Sequence, residues 1–207
     1  MSKVLTVAAA FALCSSVYAD IETFMDCYYQ PTCSDPTFPD WPWNYYVVDL
    51  YVEVSNGDDW TSSSATATID AAEFFEHPIG DDTPPMAAFV AIYPALEYDS
   101  FYCATEANAA NQPPYKDPSF AQITNEDQYR DAVWFDTPPN GGVGTFLIAR
   151  YTVHAWPEEL PVTFRVEGAH TTFDGGGYLY PFEFTCVIPE PASLALLGLG
   201  LALLRRR

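Results

Sequence analysis

The amino-acid sequence predicts an all-β protein, a single antiparallel β-sandwich or jelly-roll-like domain. Three observations carry that expectation. Runs rich in Val, Thr, Tyr and Phe recur along the chain, and these residues favour a pleated, half-buried backbone. Turn signals such as Asn56-Gly57, Pro138-Pro139-Asn140-Gly141 and Gly175-Gly176-Gly177 separate the runs at regular spacing. Between residues 20 and 188 no run shows the period of an amphipathic helix, and no internal repeat is evident.

In chain order, residues 1–19 hold Lys3, an apolar run over 4–13, and Val17-Tyr18-Ala19 before Asp20. This pattern predicts a secretory signal helix cut by signal peptidase between Ala19 and Asp20. Cys14 does not make it a lipoprotein signal, because Leu13 stands where a small residue is needed. Residues 20–44 contain Pro31, Pro36, Pro39 and Pro42 and read as an irregular lead-in that lays Trp41 and Trp43 on the first sheet. Residues 45–54 alternate and predict a strand, Asn56-Gly57 a hairpin turn, and residues 60–69 a second strand. Residues 71–75 predict a short strand and 77–85 a loop. Two more strands are expected over 87–93 and 96–104, on either side of Pro94. The polar stretch 108–128 reads as a surface excursion with one helical turn near 126–128. Strands over 131–136, 145–155, 162–167 and 178–188 complete a body spanning 20–188.

Removing both ends leaves a body with four basic residues, Lys116, Arg130, Arg150 and Arg165, against 27 acidic ones, a formal charge of −23. Such a body repels nucleic acid and anionic lipid, so neither is an expected partner. It suits solubility, cations, and neutral or basic polymers. The 14 Tyr, 14 Phe and 5 Trp supply enough apolar surface to argue against disorder despite the charge.

Four cysteines remain after signal cleavage: Cys27, Cys33, Cys103 and Cys186. An even number in an exported chain predicts two disulfides with three formal connectivities, of which Cys27–Cys33 and Cys103–Cys186 are favoured. The Cys27–Cys33 spacing is too wide for a zinc knuckle, and no histidine is near.

No catalytic constellation is legible. His77, His154 and His170 are widely separated and read as surface or strand residues. There is no Gly-x-Ser-x-Gly elbow, and Gly175-Gly176-Gly177 lacks the helix and lysine of a phosphate loop. The adjacent acids Asp58/Asp59, Asp81/Asp82 and Glu158/Glu159 could serve a glycosidase if held about 5–9 Å apart, but neighbours on a strand face opposite ways. Calcium is the one cofactor these acids suit, at Asp58, Asp59, Asp81 and Asp82, although no Asp-x-Asp-x-Asp-Gly loop is present. Trp60 and Trp156 would stack on sugar rings if exposed.

The last nineteen residues are of another kind. Pro189-Glu190-Pro191 forms an extended, accessible peptide, since each proline lacks an N–H and Pro191 disfavours a helical Glu190. Residues 192–204 contain only Ala, Ser, Leu and Gly, and predict a transmembrane helix about 20 Å long against a hydrocarbon core of about 30 Å. Arg205, Arg206 and Arg207 act as the membrane stop and stay on the cytoplasmic side. The stretch Val187-Ile188-Pro189-Glu190-Pro191-Ala192-Ser193-Leu194, the Leu/Gly/Ala run and the arginine cluster resemble the PEP-CTERM sorting signal. That resemblance implies a Gram-negative bacterium, processing by an exosortase near Pro189–Pro191, a transient stay in the inner membrane, and delivery to the cell surface or extracellular matrix.

The expectation is therefore a non-enzymatic exported surface protein: signal peptide 1–19, domain 20–188, sorting signal 189–207. An extracellular glycan-binding module, calcium-dependent and meeting exopolysaccharide, is the alternative. A carboxylate-dependent glycoside hydrolase is the third.

Overall fold

The computed structural model describes residues 21–30, 35–37, 45–55, 60–105, 116–136, 143–156, 159–172 and 179–189. The predicted signal helix, transmembrane helix, Ala19, Asp20, Cys33, Trp41, Trp43, Asp58, Asp59, Glu158, Glu190, Pro191 and Arg205–Arg207 lie outside them. Among the described residues ten strands form two antiparallel sheets. Sheet A joins β1 (Ile21–Gln30), β2 (Tyr45–Val54), β8 (Gly144–His154) and β4 (Glu73–Phe74), with β5 (Phe101–Tyr102) also on β8. Sheet B runs β10 (Leu179–Ile188), β9 (Val162–Thr172), β3 (Trp60–Ile69), β7 (Tyr129–Phe135) and β6 (Ser119–Glu126). Among the described residues no helix is long and apolar enough to cross a membrane.

The two sheets share one core, as the alternation in β2 and β3 demands. Tyr46, Val48, Leu50, Val52 and Val54 of β2 point inward, and Ala65, Ala67 and Ile69 of β3 meet them. Small residues on β3 leave room for an aromatic cluster. Tyr102 lies 4.8 Å from the Trp134 ring and 5.9 Å from Tyr151, which in turn lies 5.6 Å from Phe164. Trp134 is fully buried, and its indole N–H is satisfied by the Cys103 carbonyl at 3.1 Å.

A bulge on β8 decides what reaches the outside of sheet A. Leu50 pairs with Ala149 but Tyr51 with Leu147, so Ile148 is an extra residue. Ile148 and Ala149 both face the core, and every later side chain changes face. Arg150 is thereby turned outward, directly opposite Asp49.

Gly168 on β9 marks the tightest approach within sheet B. A Cβ there would lie 2.0 Å from the Ser64 carbonyl oxygen, 2.8 Å from Phe182 Cζ and 2.9 Å from Ala65 Cα. Two of those three neighbours are backbone, so the strand itself must move. Gly168→Ala is expected to destabilise the domain by about 1–3 kcal/mol, read as a lower urea midpoint at unchanged slope. An unchanged midpoint would show that β3 and β9 part freely.

Several sequence expectations are corrected. Residues 21–30 are not irregular: they form β1, an edge strand whose Met25 and Cys27 reach the core while Phe24 stacks on Tyr51 at 5.0 Å outside. The strands expected over 87–93 and 96–104 are replaced by a short helix α1 (Ala87–Val90) and a 3₁₀ turn (Pro94–Tyr98), leaving only Phe101–Tyr102 as strand. Pro94 starts the 3₁₀ turn, where its missing N–H is harmless. Ala95 then packs with Tyr45 and Phe75 on the outer face of sheet A. The expected polar excursion contains β6, which pairs with β7 across Asp127-Gln128. The helical turn expected near 126–128 is instead the two-residue turn Asp127-Gln128 of this hairpin.

Candidate functional site

The strand that leads out of the body is β10. It pairs along its length with β9, ending at Ile188 opposite Val162. Ile188 is 3% exposed and belongs to the core, whereas Val187 beside it is 59% exposed. Pro189 follows at once and cannot extend the ladder. The sorting peptide therefore begins where the last core side chain is seated.

The pairings also place the two ends of the body. Ile21 pairs with Val54, which connects through residues 55–59 to Trp60, and Trp60 pairs with Thr172 at the end of β9. Ile188 pairs with the first residue of β9. The chain thus enters the sandwich at one pole and leaves it at the other.

The outer face of sheet A carries a buried polar assembly. Arg150 donates from Nε to Asp49 Oδ1 at 2.7 Å and from Nη2 to Oδ2 at 2.8 Å, a two-point pair. Its Nη1 donates to the Glu97 carbonyl at 2.8 Å, and Tyr28 and Tyr51 hydroxyls donate to Asp49 Oδ2 at 3.3 Å. The guanidinium also covers the Phe101 ring at 5.4 Å. This pair ties the segment 94–101 onto the sheet. Burial pushes the Tyr28 hydroxyl above its ordinary range, aided by the Asp49 charge. Nearby, Asp99 Oδ1 accepts the amides of His77 at 2.8 Å and Ser100 at 3.0 Å, and burial raises its pKa to about 8.

Inside the core, Ser63 Oγ lies 2.6 Å from His170 Nδ1. The Trp60 indole, which can only donate, gives its N–H to the same Oγ at 2.9 Å. With two lone pairs, Ser63 Oγ can accept from the indole and still share a second hydrogen bond with Nδ1 in either direction. Ser63 is 1% and His170 0% exposed, and Phe182 stacks on the imidazole at 4.5 Å. A nucleophile–base pair needs access for substrate and donors for an oxyanion. This one has a closed wall on every side and serves as a core hydrogen bond. No motif flagged it, because its members are far apart in sequence and meet only through the β3–β9 register.

The histidines, expected on the surface or on strands, are all buried; His154 and His170 lie on strands and His77 in a buried loop. The acidic pair Asp81/Asp82 is already engaged. Asp81 Oδ1 accepts both the amide and the hydroxyl of Thr83, at 2.8 and 2.6 Å. Asp82 Oδ1 accepts from Asn125 and lies 3.9 Å from Arg130 Nη1. Arg130 itself is 2% exposed and paired with Glu76 at 2.7 Å. Glu159 Oε2 caps the Trp156 amide at 2.7 Å. Trp60 and Trp134 are buried and only Trp156, 44% exposed, presents a ring among the described tryptophans. A hollow of about 550 Å³ on sheet B, between Ser64, Thr66, Glu167 and Glu183, is shallow, and Arg165 pairs with both of its acids at 2.8 and 2.9 Å.

The cysteines are arranged differently from the favoured pairing. Cys103 packs with Phe101 and Leu147 on the outer side of sheet A, while Cys186 sits on β10 against the main core. Sheet A separates them, so a Cys103–Cys186 bond does not form. Cys27, Cys103 and Cys186 are all thiols here.

Comparison with curated proteins returns no match. Residues 187–207 carry the PEP-CTERM protein-sorting motif, which indicates an exported, membrane-processed protein of Gram-negative bacteria.

Proposed function

We propose that the chain is a non-enzymatic surface or matrix protein whose sandwich is the cargo of its own sorting signal. The observation that carries this reading is the junction at Ile188–Pro189: the last core residue is followed immediately by the sorting peptide. Signal peptidase would release the Ile21 pole, and the tail would hold the other pole at the inner membrane. An exosortase would then cut near Pro189–Pro191, freeing an acidic body to the surface or to a neutral exopolysaccharide. Burial of the Ser63–His170 pair supports a role in which that pair does no catalysis.

Deletion of residues 189–207 tests it. The shortened protein is expected to leave the membrane and surface fractions and collect in the soluble periplasmic fraction, measured by fractionation and immunoblot. Unchanged surface display would overturn the reading.

A further inference from the structure

We propose that Cys27 and Cys186 form a disulfide that staples β1 to β10 at the pole from which the sorting motif departs. The two strands are the outer edges of different sheets, and they meet along one flank of the sandwich. The register explains why these two residues come together. Cys27 lies three positions before the end of β1, whose Gln30 pairs with Tyr45. Tyr45 pairs with His154, the last residue of β8, from which the chain crosses to Val162 and so to Ile188. Cys186 lies two positions before Ile188. Both side chains face inward against the shared core and both remain partly exposed. The Cys27 thiol donates to the Cys186 sulfur, and that hydrogen bond holds the Cys186 thiol below its ordinary range while it raises Cys27. Cys186 is thus the attacking sulfur.

The chemistry is a two-electron oxidation. Cys186 thiolate attacks the disulfide of a donor, oxidised glutathione in vitro or a Cys-x-x-Cys thiol oxidase in the cell envelope, and one donor thiol leaves. Cys27 then attacks the mixed disulfide through its Cys186 sulfur, and the second donor thiol leaves. Both protons end on the reduced donor. Cys103, fully buried on the far side of sheet A, stays reduced. The cross-link encloses residues 27–186, nearly the whole body, so it constrains the unfolded chain strongly. It also fastens the strand that bears the membrane tether before any pull on the tail reaches the core.

The full-length chain in detergent is oxidised with a glutathione redox buffer, alkylated, and digested with chymotrypsin without reductant. Cleavage after Phe24, Tyr28, Tyr102 and Phe184 separates the cysteine peptides for mass spectrometry. The expected result is a Cys27–Cys186 linked pair that reductant splits, with Cys103 alkylated only in denaturant. Reduction should lower the wild-type Tm by about 5–15 °C and leave a Cys27→Ser/Cys186→Ser variant unmoved. Cys27 joined to Cys33, or Cys186 alkylated in the oxidised protein, would overturn the proposal. Because this oxidation needs no sorting, its failure would leave the export reading standing.

Discussion

Arg150→Leu is expected to destabilise the sandwich by about 3–5 kcal/mol, because it strands the Asp49 carboxylate in a site only 2% exposed. Asp49 would keep two tyrosine hydroxyls at 3.3 Å but lose both short charge-assisted bonds, and the Glu97 carbonyl would lose its donor. The segment 94–101 would lose its fastening to sheet A. Asp49→Leu should cost a similar amount by leaving the guanidinium unpaired. The Asp49→Leu/Arg150→Leu double variant should recover much of the loss, since two apolar side chains of comparable volume need no partners. Urea denaturation of all four proteins supplies the cycle. A single-variant loss below about 1 kcal/mol would place the pair among surface ion pairs and refute its structural role.

That pair also shows how far the sequence could be read. The strands Tyr45–Val54 and Trp60–Ile69 were legible to the residue, because strand-forming patterns act locally, but the hairpin expected of them at Asn56-Gly57 is overturned: the two strands lie in different sheets and pair with other partners. The bulge that turns Arg150 outward was not legible, since one extra residue in β8 is visible only against its partner β2. β1 was hidden for a related reason: an edge strand with acidic Glu22 and Asp26 on its open positions lacks a clean apolar rhythm. The apolar run 87–104 misled in the opposite sense. Its hydrophobic residues include Ala95 and Leu96, which are buried by a 3₁₀ turn capping sheet A, and hydrophobicity alone does not separate a cap from a strand. The sorting signal was fully legible because its meaning lies in the order of residues along one peptide. The Cys27/Cys186 and Ser63/His170 meetings depend on which strands form the edges and centres of the sheets, information that no local pattern holds.

Stability is expected to peak near pH 6–6.5 and to fall on both sides through different residues. On the acid side, burial lowers the pKa of His170 to about 3 and of His154 to about 4 from an ordinary 6.5. The unfolded chain then binds protons that the fold refuses, so stability falls as pH drops from about 6.5 toward 4. On the alkaline side, burial raises the pKa of Asp99 from 3.8 to about 8. The fold keeps a proton that the unfolded chain releases, so this contribution is lost as pH rises from about 4 through 8. Between pH 4 and 6.5 His154 and His170 outweigh Asp99 by about 3 kcal/mol, at about 1.4 kcal/mol per proton and pH unit, while burial also lowers the pKa of His77 and raises that of Asp82, two effects of opposite sense. Above 6.5 the Asp99 loss stands alone, about 2 kcal/mol by pH 8. Asp99→Asn preserves the acceptor for the His77 and Ser100 amides and cannot ionise, so it should flatten the alkaline limb and leave the acid limb intact. His170→Asn keeps a hydrogen-bonding partner for Ser63 Oγ and should remove the share of the acid slope that His170 contributes. Urea midpoints measured from pH 4 to 8.5 test both at once: a wild-type curve that rises monotonically to pH 8.5 would show Asp99 ionised in the fold. An Asp99→Asn variant whose alkaline limb matches wild type would assign that limb to another group.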